Sequence, residues 1–415
     1  MPRLPLVAAI AALCLSPGVR AQSASEALDA AWVTACASAE PDTAFHARCQ
    51  EILNAGPGSG GRRSAAALGN NLEMFASQGR RLMAMARARG KAAGKIADAV
   101  EGEQSLNWYS AAGDSSPDVL ASGSRWALFG SVAHIDAEQS DGTFERGVEE
   151  QGEVYLLGVD YRFSDRWAGL LAIQRESRDT DFLRSGSMDA DTDLLSASLA
   201  FAGDGGFGAT ASVSAGRTDA RLTREIDYTL VLDANTPQER SIRIQSSSHS
   251  DNEADLLGAD ASAGWERAVG AWTWRYGADV SWQRTESDDI IEDNDRGLDF
   301  LIRGQRITSL RGGLGVEAAR TFSTASGVWQ PWLRLRWIHE FKDDPRRIDA
   351  AFRGGDRVFR LAFSSGEPDR NFGELGLGVS AVFVGGWQAY AGWQRMIGHS
   401  FLEEDRFDIG WRREF

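Results

Sequence analysis

The chain has 415 residues, a formal net charge of -15, 43% hydrophobic residues, 45 Gly and 14 Trp. That apolar content excludes a disordered chain, and outside the N-terminus no run approaches the roughly 18 apolar residues of a membrane helix, which excludes a polytopic helical fold. The acidity argues against nonspecific nucleic-acid binding, which depends on Lys and Arg neutralising phosphates.

Residues 1–21 read as a secretory signal. Arg3 supplies the positive start, Leu4 to Leu15 is a short apolar run broken only by Pro5, and Val19-Arg20-Ala21 offers small residues for cleavage. The run is too short for a membrane anchor, and Cys14 follows Leu13 where a lipidation motif needs a small residue. Cleavage after Ala21 leaves Cys36 and Cys49 in an exported chain that meets an oxidising compartment. A disulfide between them is expected, worth about 3 kcal/mol for a loop of about 15 residues. The spacing lacks the His or second Cys pair of a zinc site, and no metal or cofactor is expected.

Segment 22–61 is expected to be a short exported head: a helical piece carrying the cysteine loop, then the flexible linker Gly56-Pro57-Gly58-Ser59-Gly60-Gly61. Segment 62–104 is expected to be a basic helix, because from about Ser64 to Val100 it is rich in Ala, Leu, Met, Arg and Lys with no Pro. Over residues 62–95, Arg62, Arg63, Arg80, Arg81, Arg87, Arg89, Lys91 and Lys95 stand against Glu73 alone. A basic helix inside an acidic protein reads either as a solvated face or as an element lodged in an acidic lumen, and composition leaves both open.

From Trp126 the pattern changes to period two. Twelve strands are expected, at roughly 125–136, 153–164, 166–178, 192–203, 206–217, 254–267, 271–285, 303–321, 327–341, 370–384, 386–397 and 402–415. An even count is what a closed bacterial barrel requires. In the seventh, Trp272, Trp274, Tyr276, Ala278, Val280 and Trp282 alternate with Thr273, Arg275, Gly277, Asp279, Ser281 and Gln283. In the tenth, Leu375, Leu377, Val379, Ala381 and Phe383 alternate with Glu374, Gly376, Gly378 and Ser380.

The connections alternate between short and long. Ser164-Asp165, Gly203-Asp204-Gly205-Gly206, Ala268-Val269-Gly270, Ser323-Thr324-Ala325-Ser326 and Gly385-Gly386 are short, whereas 137–152, 179–191, 218–253, 286–302 and 342–369 are long, with a shorter one near 398–401. Outer-membrane barrels have short periplasmic turns and long outer loops, and a soluble sandwich has no reason to alternate this way. Acidic residues gather in the long connections, as in Asp288-Asp289-Ile290-Ile291-Glu292-Asp293-Asn294-Asp295.

At the end of the chain Phe407, Ile409 and Trp411 alternate with Asp408, Gly410 and Arg412, and the last residue is Phe415. This ending resembles the C-terminal strand of bacterial outer-membrane barrels, whose final aromatic and alternating apolar positions are read by the assembly machinery; Arg413 departs from it. The run Gly158-Val159-Asp160-Tyr161-Arg162-Phe163-Ser164-Asp165-Arg166-Trp167, the later Asp369-Arg370-Asn371-Phe372-Gly373-Glu374-Leu375-Gly376-Leu377-Gly378 and this ending resemble the autotransporter β-domain, the translocator of type V secretion, over about 105–415. The resemblance implies an all-β, twelve-stranded antiparallel transmembrane β-barrel in the bacterial outer membrane, with an N-terminal α-helix threading the lumen. It also implies outer-membrane lipid, the barrel assembly machinery and periplasmic chaperones as partners, with a monomeric barrel. The passenger departs from the family, with only about 40 residues between signal and helix.

Candidate chemistry is sparse. Asn70-Asn71-Leu72 resembles the Asn pair at which some autotransporters cut themselves, by attack of an Asn side-chain amide on its own backbone carbonyl; otherwise the pair is polar helix surface. His249-Ser250-Asp251 in the longest connection suggests a hydrolase, but a local triplet does not supply the geometry of a His held by one acid and facing a nucleophile. Gly113-Asp114-Ser115-Ser116 resembles an esterase block without an α/β domain around it. The wet faces carry Asp160, Arg162, Asp260, Glu266, Arg275, Asp279, Arg311, Glu317, Arg334, Arg336, Glu340 and Glu374, which either pair across the lumen and with a plug or line a pore. The expected activity is anchoring and export of the chain's own N-terminal segment, with no catalysis. The competing readings are a small channel with the basic helix outside the lumen, and a hydrolase built on the long loops.

Overall fold

The computed structural model describes residues 23–54, 72–78, 81, 125–183, 185–232, 237–293, 299–342, 344–354, 357–367 and 369–415. The signal 1–21, the linker at 56–61, Asn70 and Asn71, most of segment 62–104, and Gly113-Asp114-Ser115-Ser116 lie outside the described residues.

Period-two sequence gives strands because successive side chains leave the backbone on opposite faces. They are β1 (Trp126–Gln139), β2 (Val148–Ser164), β3 (Trp167–Phe182), β4 (Gly186–Ala202), β5 (Phe207–Leu232) and β6 (Arg240–Val269). There follow β7 (Trp272–Ser287), β8 (Ile290–Ile291), β9 (Phe300–Ile302), β10 (Arg306–Arg320), β11 (Phe322–Thr324) and β12 (Gly327–Glu340). The last are β13 (Arg347–Gly354), β14 (Arg357–Ser364), β15 (Asn371–Phe383), β16 (Trp387–Ile397) and β17 (Leu402–Glu414). Twelve long strands, β1–β7, β10, β12 and β15–β17, pair antiparallel with their neighbours, and β1 pairs with β17 to close the barrel. Closure leaves no unpaired edge in the wall.

Short turns and the start and finish of the barrel share one end, here the turn end. There Gly385 and Gly386 take φ of +87° and +76°, the left-handed backbone that a tight β15–β16 hairpin turn demands and that Gly adopts without strain.

The outward face carries an apolar belt. Ile173, Val213 and Ile409 are 59%, 60% and 68% exposed, and a water-soluble surface does not carry so continuous a patch. Toward the turn end the belt finishes in touching rings: Trp126 with Tyr161 (4.5 Å between centroids), Trp167 with Phe201 (4.7 Å), Phe207 with Trp265 (5.2 Å) and Trp387 with Trp411 (6.1 Å). Such girdles sit where lipid meets water. Toward the loop end the outward positions turn polar. On β3, Ile173 gives way to Arg175, Ser177, Asp179 and Asp181, and on β4, Leu195 gives way to Asp193, Asp191 and Asp189.

Two connections expected to be long loops are largely continuations of barrel strands. The stretch 179–191 is the end of β3, a tight turn and the start of β4. The stretch 218–253 holds the far reaches of β5 and β6, paired in register out to Leu232 opposite Arg240. Past the lipid, outward side chains become charged, which resembles loop composition. The inward positions keep the alternation, and Met188, Ala190, Ala220, Leu222 and Ile226 are buried.

Beyond the barrel, β14-β13-β9-β8 form a second sheet at the loop end. On it pack α1 (Ala24–Ala37) and α2 (Ala44–Asn54), α1 against β14 and α2 against β13. Ser23 starts α1 with a capping box: its hydroxyl accepts the Glu26 N–H (3.3 Å) and the Glu26 carboxylate accepts the Ser23 N–H (3.1 Å). The Thr43 hydroxyl accepts the His46 N–H (3.0 Å) at the start of α2, and a Cys36–Cys49 disulfide joins the two helices.

Candidate functional site: the lumen and its loop-end mouth

Inward positions of the twelve strands build a lumen of opposed charges. Around the β6–β7–β10–β12 wall, Arg275 donates to Glu266 (2.7 Å) and Glu317 (2.6 Å), and Arg334 donates to the other oxygen of Glu317 (2.8 Å). Arg336 donates to both oxygens of Asp279 (2.7 Å each) and to Glu374 (2.9 Å). A Cβ on Gly313 would meet the Asp279 carboxylate at 2.5 Å, so glycine there makes room for that fork. Arg311 donates to Glu340 (3.2 Å) with its guanidinium over the Phe372 ring (5.1 Å), and Glu340 also accepts the Ser309 hydroxyl (2.5 Å). Asp260 is half-buried opposite Ser212 and Ser281, and Arg162 is half-buried at the turn end, its backbone N–H on the Arg125 carbonyl (2.8 Å). Opposite charges on adjacent or next-nearest strands neutralise one another, which is how a buried charge is tolerated.

Asp160 has a partner in the last strand. Arg412 forks onto it with 2.9 and 3.0 Å hydrogen bonds, across β1. Higher in the lumen Arg178 is buried between Glu150 and Glu176, and Arg224 forks onto Glu292 (2.6 and 2.7 Å) beneath Phe300. Glu150, Glu176, Arg178, Arg224 and Glu292 are absent from the sequence-based set: Glu150, Arg224 and Glu292 fall in stretches read as long connections, whereas Glu176 and Arg178 lie at the end of the expected strand 166–178 without being singled out. The usable signal for Glu150, Glu176, Arg178 and Arg224 is that each keeps the inward parity of its strand.

Residues 72–78 sit in the loop-end mouth and are buried. Ser77 exchanges hydrogen bonds with the Arg146 backbone (2.8 and 2.9 Å), Glu73 faces Arg146 (3.8 Å), and Arg346 donates to the Ala76 carbonyl (2.9 Å). Arg81 is 1% exposed and donates to Gln139 (2.9 Å), with Glu150 at 3.9 Å. Above them the head closes an aromatic cluster: Phe45 touches Phe352 (5.4 Å) and Phe359 (5.8 Å), and Phe352 touches Phe300 (5.8 Å). One apolar cluster therefore runs from Leu28 and Phe45 through Leu72 and Phe75 to Phe182, Met188 and Leu222 of the barrel.

Outside the membrane belt, Asp289 accepts the Gly304 N–H (2.7 Å) and the Arg303 guanidinium (2.5 Å). The backbone hydrogen bond from Gly304, with Arg303 beside it, holds the Asp289 carboxyl below its ordinary range. His249 is exposed on β6, its ring against the hydroxyls of Thr223 (3.2 Å) and Ser247 (3.3 Å), while Ser250 points to the opposite face of the strand. The triplet does not converge. In the last strand Phe407, Ile409 and Trp411 point outward, and Arg413 stacks over the rings of Trp387 (4.6 Å) and Phe415 (5.6 Å), which is how a cation fits a girdle position.

The sequence profile of the autotransporter β-domain matches residues 128–394. Among solved structures, the fold is similar to the translocator domain of the autotransporter NalP from Neisseria meningitidis, with 12% identity and a TM-score of 0.54 over 78% of this chain and 98% of that one. The β-domain of the Bordetella autotransporter Brka is similar at 17% identity and a TM-score of 0.49, over 70% of this chain and 100% of that one. No curated protein matches the chain. With well over half of its length matched and its strands closed as a twelve-stranded barrel, the chain belongs to the autotransporter β-domain family, whose barrels are embedded in the outer membrane.

Proposed function

We propose that the barrel exports its own N-terminal segment and retains it at the cell surface as a docked head. The observation that carries this reading is the position of the head: α1 and α2, tied by Cys36–Cys49, pack on the loop-end sheet, and residues 72–78 are seated in the mouth below. Arg81 is held at the loop end and Arg125 at the turn end, which supports a basic segment 62–104 that threads the lumen between the two ends as the plug. The length suffices: a wall of 14 residues at about 3.4 Å rise is about 48 Å tall, within reach of residues 82–124 even at the roughly 1.5 Å per residue of a helix.

In this reading the long loops face the outside, the signal peptide 1–21 is removed on export, and the apolar outward face of Phe407, Ile409, Trp411 and Phe415 is what the barrel assembly machinery receives from periplasmic chaperones. The barrel works as a monomer, and no chemistry is assigned to it. An epitope inserted in the exposed bend at Pro41 and Asp42 tests the display. Antibody should reach it on intact cells; staining only after permeabilisation would overturn the reading.

A further inference from the structure

At the turn end the outward face carries guanidinium groups set among aromatic rings. One such patch spans β6, β7 and β10. Register places Trp274 between Arg267 and Ala318, and Trp272 between Val269 and Arg320. The Arg320 guanidinium carbon lies 5.7 Å from the Trp272 ring centroid and 5.0 Å from that of Phe322. Stacking on rings holds a guanidinium flat and leaves its N–H edge free to donate. Trp272, Trp274 and Phe322 are 44%, 45% and 43% exposed, and Arg267 and Arg320 are exposed beside them.

Carboxylates do not answer these two arginines. Among the described residues no ion pair forms at Arg267 or Arg320, and the adjoining turns, 268–271 and 321–326, contain neither Asp nor Glu. Arg166 at the same end shows the alternative, because one of its guanidinium nitrogens donates to both Asp204 oxygens (2.8 and 3.0 Å). With strands about 4.8 Å apart and a rise of about 3.4 Å, Arg267 and Arg320 flank β7 with Cα atoms roughly 12 Å apart, close enough for two long side chains to converge on one group.

We propose that Arg267, Arg320, Trp272, Trp274 and Phe322 seat the headgroup of an anionic glycerophospholipid in the leaflet at the turn end. The two guanidinium groups donate to the phosphodiester oxygens, a pairing that their planar forks suit. The acyl chains lie on the belt just above, where Tyr276 and Val316 are exposed. The patch is continuous with that belt, so a ligand that fits both must join a phosphate to apolar chains. The inference does not depend on which way the barrel faces, because a synthetic bilayer has the same lipids in both leaflets.

Native mass spectrometry of the full chain, released from nanodiscs of phosphatidylcholine with a minor share of phosphatidylglycerol, tests this. The wild type should retain phosphatidylglycerol in preference to phosphatidylcholine, and Arg267→Gln with Arg320→Gln should reduce that preference about tenfold, the equivalent of one charge-assisted hydrogen bond. Arg166→Gln should leave it unchanged. Heat-modified gel mobility identifies folded barrels in every sample. Equal retention of both lipids by the wild type, or an unchanged preference in the double variant, would overturn the proposal. So would displacement of the lipid by inorganic phosphate alone, which would mark a free-anion site.

Discussion

At the scale of one residue, Arg412 shows what a single fork does in a closed sheet. It reaches from the last strand across β1 to Asp160 of β2, with both side chains buried. Arg412→Ala leaves Asp160 charged, buried and alone, which should cost about 3–5 kcal/mol. Arg166→Ala breaks a solvent-exposed pair in which one guanidinium nitrogen bridges both Asp204 oxygens, and should cost under ~1 kcal/mol. Urea titration of the refolded barrel in detergent compares the two, and equal midpoints would remove Arg412 from the closure of the barrel. Asp289 carries a second prediction at this scale. Its folded carboxyl is depressed, so its contribution is present above the unfolded value of about 3.9 and is lost as pH falls through the lower folded value. Hydrogen-exchange protection across 288–304 should therefore hold from neutral pH to about pH 4 and fall progressively in stronger acid. Protection unchanged in strong acid would show that the Gly304 and Arg303 contacts do not hold the loop.

Among the elements, the head is the part whose attachment can be tested apart from the barrel. Phe45→Ala removes a buried ring from the Phe352 and Phe359 contacts and should cost about 3–5 kcal/mol of docking. Limited proteolysis should then cut α1 and α2 while the gel mobility of the barrel stays that of the wild type; a head still protected would mean that the loop sheet is not its seat. The sequence makes the barrel legible and this seat illegible, for a physical reason. Alternation such as Trp272, Trp274, Tyr276 against Thr273, Arg275, Gly277 is local, and it reports the facing directions of a strand wherever lipid lies on one side. The seat of Phe45 is made of Phe352, Phe359 and Phe300, which come from two separate connections, and nothing local couples them. The lumenal charges fall between these cases. Asp279, Arg336 and Glu374 are readable as inward residues by parity, but their pairing depends on the order of strands around the closed wall. Arg224 disappears into a stretch whose outward residues are polar, although inward neighbours such as Ala220 and Leu222 keep the period.

For the whole molecule, the question is whether the lumen conducts. The wall charges pair across strands, residues 72–78 sit in the mouth, and the head packs above it, so three layers are candidates to limit ion flow. Single-channel recording separates them. The intact barrel should conduct poorly, and deletion of residues 22–100 should raise the conductance sharply. Deletion of 22–54 alone distinguishes cap from plug: if the basic segment fills the lumen, losing the head leaves conductance near the intact level. If the head is the only barrier, that shorter deletion opens the pore as fully as the longer one. Equal conductance in the intact and fully deleted chains would leave a channel as the better account, because the wall alone would then set the flow.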